Sequence, residues 1–241
     1  MRVEGRNPVI ELLKSGKPVK KLYLQNRIKQ DTKINTIIKR AKKSNIRIIR
    51  KSKKKLDQIS STGSHQGIIA MTDKVDNISF DEFLENYSGQ DNNLKLIYIR
   101  EAYHEHNIGA IIRTAESAGF NAVILPPKIN MTPQIIRASM GASEHIHIFN
   151  ESLFPFLKKC KEELIKIVGI EQTENSILYT KSKLTGNILL IIGGEDRPLS
   201  NSITNKCDII VKLPQHGKVN SLNMSVAAAI IMYEVLRQTN N

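Results

Sequence analysis

The chain has no tryptophan, six tyrosines, six phenylalanines and two cysteines among its 241 residues. With so few rings, stacking of bases on a side-chain platform is not the evident mode of any nucleic-acid contact. Cys160 and Cys207 lie apart, inside apolar patterns, and form neither a metal-spaced pair nor a disulfide framework. They read as reduced structural thiols of a cytoplasmic protein. Nothing resembles a secretory leader, and no apolar run approaches the ~20 residues that span a bilayer. The chain lacks G-x-G-x-x-G and G-K-[ST] loops, which speaks against a Rossmann dinucleotide site and a P-loop. Ser221 has no G-x-S-x-G surroundings, so a nucleophile elbow is not expected. His104 with His106, and His145 with His147, are spaced two apart, but no cysteine or carboxylate cluster completes a ligand set. A metal centre is therefore not expected.

What is present is positive charge, and it is concentrated. The formal net charge is +13. Residues 1–55 hold 19 Lys/Arg against 3 Asp/Glu, a net of +16; the remainder holds 17 against 20, a net of −3. A field of one sign confined to one segment favours a polyanion, and RNA or DNA is the usual one.

The first segment alternates short helices and strands. Asn7-Pro8 starts a helix ending before Gly16, and Asp31 caps one running to about Lys43 with Ile34, Ile37, Ile38 and Ala41 on one face. Strands are expected near 21–24, 46–49 and 67–71, with a short helix at 53–59. This makes a basic α/β domain over 1–75. A linker over 76–93 carries one small helix capped at Ser79 and the polar run Ser88–Asn93. From 94 to 241 the pattern becomes βαβ, with apolar strands near 94–99, 122–125, 146–149, 165–170, 188–192 and 209–213. Near-continuous Ile/Leu/Val runs suit a mostly parallel sheet buried on both faces.

In such a sheet ligands gather at the carboxyl ends of the strands, and three strand exits here are unusual. After 94–99 comes His104-Glu-His-Asn107-Ile-Gly-Ala-Ile-Ile-Arg113-Thr-Ala. Asn107 is a natural helix cap; Arg113 is either a surface cation paired with Glu105 or Glu116, or a ligand-facing group. After 188–192 comes Gly193-Gly194-Glu195-Asp196-Arg197-Pro198, where a glycine pair permits tight turning and close approach. After 209–213 comes Pro214-Gln-His-Gly217, then Ser221-Leu222-Asn223-Met-Ser225, three polar residues crowding the first turn of an Ala-rich helix. A helix start offers unpaired N–H groups to polar ligands.

In this order and spacing the three exits resemble the motifs of the SPOUT methyltransferase superfamily, specifically its TrmH-type 2′-O-ribose methyltransferases. Gly5-Arg-Asn-Pro-Val9, His65-Gln-Gly67 and Gly141-Ala-Ser-Glu144 are similar to bacterial 23S rRNA guanosine-2′-O-methyltransferases. The resemblance implies a C-terminal SPOUT domain with a trefoil knot behind a small L30e-like RNA-binding domain. It implies a homodimer with S-adenosylmethionine in the knot cleft, near Gly193, Gly194, Leu213, Pro214 and Leu222. It implies catalytic positions at Asn107, Arg113, Glu195, Ser221 and Asn223, with Arg113 as base or as phosphate clamp. The chain departs from the family at His104-Glu105, where Asp-Pro is usual, and at Asp196 and Pro198, where glycines are. The expected substrate is a guanosine of 23S rRNA, free or in an assembling large subunit. A tRNA ribose methyltransferase and a non-catalytic RNA-binding assembly factor are the alternatives.

Overall fold

A computed structural model describes residues 1–73, 78–87, 93–101, 104–194, 197–218 and 221–240. The first elements are β1 (Arg2–Glu4), α1 (Arg6–Lys14), β2 (Val19–Gln25), α2 (Thr32–Lys43), β3 (Arg47–Lys51), α3 (Lys53–Ile59), β4 (Ile68–Thr72) and α4 (Phe80–Tyr87). There follow β5 (Lys95–Ile99), α5 (Glu105–Ser117), β6 (Ala122–Leu125), α6 (Pro133–Ala138), β7 (His147–Asn150), α7 (Leu153–Glu162) and β8 (Lys166–Ile170). The chain ends with β9 (Ile177–Leu178), β10 (Ile188–Ile192), α8 (Asn201–Thr204), β11 (Ile209–Lys212) and α9 (Met224–Thr239). Two compact units result: Met1–Asp76 with Met131–His145, and Asn77–Asn130 with Ile146–Asn241.

The first unit is a four-stranded mixed sheet in the order β1-β4-β2-β3, with β2 and β3 parallel and the other pairs antiparallel. Leu22 and Leu24 of β2 point into a core completed by Val9 and Leu12 of α1 and Ile34 and Ile37 of α2. The Asp31 side chain caps α2 by accepting from the Ile34 N–H at 2.9 Å, as the sequence implies. Strand β1 carries too few residues for a periodicity, so only pairing with β4 reveals it. Its Glu4 is fully buried and accepts from the Ser60 hydroxyl (2.6 Å), the Ser61 N–H (2.7 Å) and the Thr62 N–H and hydroxyl (3.3 and 2.6 Å). Burial raises the pKa of this carboxyl, but the hydrogen bonds outweigh it and hold the value below the ordinary one.

The segment 131–145 lies inside the sequence span expected for the methyltransferase domain, yet its contacts are with the first unit. Ile136 of α6 enters that unit's core, Glu144 pairs with Lys17 at 2.9 Å, and His145 Nε2 lies 2.9 Å from Glu11. A short apolar helix gives no sign in sequence of which core it joins.

The second unit is a seven-stranded sheet in the order β7-β6-β5-β10-β8-β11-β9, every pair parallel. All five residues of β10 are buried, which is why its sequence is an unbroken Ile/Leu run. Four of the chain's few aromatic rings, Phe80, Phe83, Phe149 and Phe156, pack together in this core, Phe80 and Phe156 with centroids 4.8 Å apart. Burial pushes the Cys160 thiol up to about 12 and the Cys207 thiol to about 11, so both stay protonated and inert. The parallel α/β architecture and the separate amino-terminal α/β unit agree with the sequence reading; β9, two residues long, was not foreseen.

Candidate active site

The order of the sheet places the site. The chain leaves β5 for β6 on one side, while β10 lies on the other, so the order reverses between β5 and β10. Clefts form outside the carboxyl ends of strands at such a point. A cavity of about 430 Å³ opens next to that point, at the carboxyl ends of β10, β8 and β11. Ile170, Ile192, Leu213, Leu222 and Met224 give it apolar walls. Gly193 and Gly194 bring backbone to its surface, and Ser221 and Asn223 supply polar side chains. A volume of this order, with apolar walls and polar groups in similar measure, suits a small organic cofactor with an apolar body and polar ends.

Six of the ten residues singled out from sequence line this cavity: Gly193, Gly194, Leu213, Ser221, Leu222 and Asn223. Pro214 stands between two lining residues, Leu213 and Gln215. Asn107, in the first turn of α5, is tied to the site from outside it: the Asn223 Nδ2 donates to Asn107 Oδ1 at 3.1 Å. Asn223 also caps α9, its Oδ1 accepting from the Ser225 N–H (2.9 Å) and hydroxyl (2.6 Å). One amide thus fixes the start of α9 and joins it to the start of α5. Arg113 lies further along α5, exposed, and makes no ion pair with any described residue, neither Glu105 nor Glu116. Glu195 lies outside the described residues.

The glycine pair works through close approach, since neither glycine adopts a left-handed φ. A Cβ on Gly194 would sit 3.0 Å from Glu101 Cβ, tighter than ordinary packing, whereas one on Gly193 would meet atoms at 3.4–3.5 Å. The Gly194 N–H donates to the Arg197 carbonyl at 3.1 Å, and Arg100 donates to the Pro198 carbonyl at 3.2 Å.

Glu171 was missed by sequence reasoning. It follows β8 directly, lines the cavity, and accepts from the Gln172 N–H (2.9 Å) and the Leu199 N–H (2.8 Å). The carboxylate ties the exit of β8 to the segment beyond Arg197. An acidic residue at the end of an apolar strand is the signal that would have found it, by the rule that picked the other exits. The histidines have other surroundings: His145 faces Glu11, and His147 packs on Phe83 and Phe149.

Comparison with known proteins agrees with this geometry. Residues 95–233 match the model of the SpoU rRNA methylase family, and residues 2–77 match that of the RNA 2′-O ribose methyltransferase substrate-binding domain. A Bacillus subtilis protein assigned to the TrmH family of tRNA/rRNA methyltransferases, YacO, is 35% identical over 244 residues, covering 99% of this chain and 96% of its own. Among solved structures, an RNA 2′-O ribose methyltransferase superposes with a TM-score of 0.83 at 21% identity, covering 99% of this chain and 88% of its own. The SpoU methyltransferase AviRb of Streptomyces viridochromogenes, solved with AdoMet, gives 0.78 at 20% identity, covering 99% and 90%.

Proposed function

The chain belongs to the SpoU/TrmH family of RNA methyltransferases in the SPOUT superfamily, and we propose that its substrate is the ribose 2′-hydroxyl of a guanosine in 23S rRNA. The protein is an S-adenosylmethionine-dependent RNA 2′-O-ribose methyltransferase. The observation that carries the residue roles below is the Asn107–Asn223 hydrogen bond, which joins the helix bearing Arg113 to the rim of the cavity.

The cavity fits the cofactor. Its apolar walls suit an adenine ring and a methionine chain, and the backbone that Gly193 and Gly194 bring to the lining suits polar edges, with Leu213 beside them. Leu222 and Pro214 would flank these groups. When bound, the cofactor supplies a methyl group already activated by its sulfonium. The protein's task is then alignment and a more reactive 2′-oxygen. Ser221 and Asn223 position the ribose from the start of α9. Arg113 grips the adjacent phosphate and polarises the hydroxyl; a guanidinium holds its proton too tightly to serve as the base. Asn107 braces α5 against α9, and Glu195 braces the loop after β10.

The 23S rRNA substrate is supported by the strongly basic amino-terminal segment, whose charge suits a large polyanion. Action on that RNA implies a cytoplasmic location; no described helix is long and apolar enough to cross a membrane. We read the domains as a substrate-binding module over 1–75 and a knotted methyltransferase domain over 94–241. A homodimer is supported by α9, where Val226 and Tyr233 are both about half exposed and two turns apart on one stripe. The test is transfer of labelled methyl from S-adenosylmethionine to unmodified 23S rRNA, with bulk tRNA in parallel and the modified ribose mapped. Label at one rRNA guanosine is expected; label only in tRNA, or in neither, overturns the substrate.

A further inference from the structure

The first unit holds a cavity of its own, about 790 Å³, built only from residues of that unit. Five cations stand around it: Arg6, Arg27, Lys29, Lys33 and Lys53. Its two anions are already engaged. Asp31 pairs with Arg6 and caps α2, while Asp57 meets His65 Nε2 at 2.9 Å and Lys53 at 3.2 Å. Arg27 and Lys29 are exposed and pair with no described acid. A concave surface with cations left over after its acids are matched attracts an anion.

The backbone around this cavity is unusual as well. Five described non-glycine residues have left-handed φ, and three of them, Arg27 (52°), Gln66 (53°) and Met140 (56°), line it. Such backbone costs free energy and gathers at functional sites. Gly67 has φ 83°, a backbone that side chains rarely adopt, and a Cβ there would sit 2.5 Å from the end of Ile28, which would have to move. Buried His65 fixes this turn, its Nδ1 accepting the Gly67 N–H at 2.9 Å. The lining also offers the amides of Asn7, Gln25 and Gln66 and the thioether of Met140. Gln66 Oε1 accepts the Arg6 N–H at 3.0 Å, and its NH₂ bonds to no described group.

Charge alone would draw any polyanion. An open cavity of this size, lined by side-chain amides, is too small for a duplex and matches one base, whose hydrogen-bonding edges are free only where the RNA is unpaired. We infer that this cavity takes one unpaired nucleotide of the RNA substrate, its phosphates held by Arg27, Lys29 and Lys33 and its base among the amides of Asn7, Gln25 and Gln66. The inference rests on RNA being the substrate.

The test uses the full chain and two labelled hairpin RNAs, one with a single unpaired nucleotide in its stem and one fully paired. Binding is measured at several salt concentrations for the native protein, an Arg27→Ala/Lys29→Ala double variant and a charge-keeping Arg27→Lys/Lys29→Arg variant. S-adenosylmethionine affinity is measured alongside. The native protein is expected to prefer the bulged hairpin by about tenfold, as one net hydrogen bond to the unpaired base would give. The alanine double should lose that preference and flatten the salt dependence by roughly one to two phosphate contacts, with cofactor affinity unchanged. The charge-keeping variant should keep most of the salt slope. Equal binding of both hairpins by a native protein that still transfers methyl to RNA overturns the inference alone, as does a double variant that keeps preference and slope. A native protein that neither binds RNA nor transfers methyl overturns the reading beneath it.

Discussion

The two units use opposite means to present a surface to a ligand. The second exposes backbone and apolar side chains at the ends of a parallel sheet whose central strand β10 is fully buried. The first uses side-chain cations and left-handed backbone on a small mixed sheet, with a buried carboxylate fixing the loop after α3. A small cofactor with polar ends and an apolar body suits the former; a polyanion whose affinity is mainly electrostatic suits the latter. The positive charge is concentrated in the unit proposed to meet RNA, and the unit that holds the cofactor cavity is left nearly neutral.

The sharpest way to break this comparison is Arg113, the one cation assigned to RNA within the second unit. It is exposed and makes no ion pair with a described residue, so its removal is expected to leave the fold intact. Arg113→Ala is expected to slow single-turnover methyl transfer by about 10²–10³-fold while cofactor affinity stays the same. Normal transfer would remove Arg113 from the mechanism.

Glu4 tests whether the first unit depends on its buried carboxylate. Glu4→Gln replaces an acceptor with a donor facing N–H groups, and about 2–3 kcal/mol of stability should be lost. Because the folded-state pKa is lowered, the native carboxylate stabilises above the ordinary glutamate range, and that contribution disappears as pH falls through the folded value. Native protein should therefore lose stability below about pH 4. In chemical denaturation from pH 7 to 3, the variant should show a shallower decline; identical profiles would contradict the assignment.

Gly193 and Gly194 sharpen the picture of the cofactor cavity. Gly194→Ala must push Glu101 aside and is expected to raise the cofactor KM by about tenfold, as loss of about 1.4 kcal/mol would. Gly193→Ala meets only ordinary contacts and should change it by less than threefold, near the ~0.6 kcal/mol of a mild substitution. A reversed order, read from initial rates against cofactor concentration, would mean that the glycines serve conformation and not close approach. The smallest effect is expected at the thiols. With both well above the physiological range, thiol reagents should label Cys160 and Cys207 only on unfolding, and activity should survive the treatment. Rapid labelling of the native protein would contradict the burial of Cys160 and the raised pKa of both thiols.

Much of this was legible in the sequence because the responsible signals are local. Asp31 announces α2, the apolar runs announce the parallel strands, and two of the three exits bring six of the ten named residues to one cavity. What was not legible depends on partners distant in sequence. β1 exists only by pairing with β4, α6 joins a core that its sequence does not specify, and Glu171 gains its role from the Leu199 N–H. The basic segment was legible as charge but not as a cavity, because left-handed backbone at Arg27, Gln66 and Met140 has no sequence signature.

The most direct test of a division between cofactor unit and RNA unit is steady-state methyl transfer to 23S rRNA with both KM values determined. Native protein, Gly194→Ala and Arg27→Ala/Lys29→Ala are compared. The expected result is that Gly194→Ala raises only the cofactor KM and the double variant raises only the RNA KM. Either variant moving both constants together, or a native protein that transfers no methyl, would contradict the account.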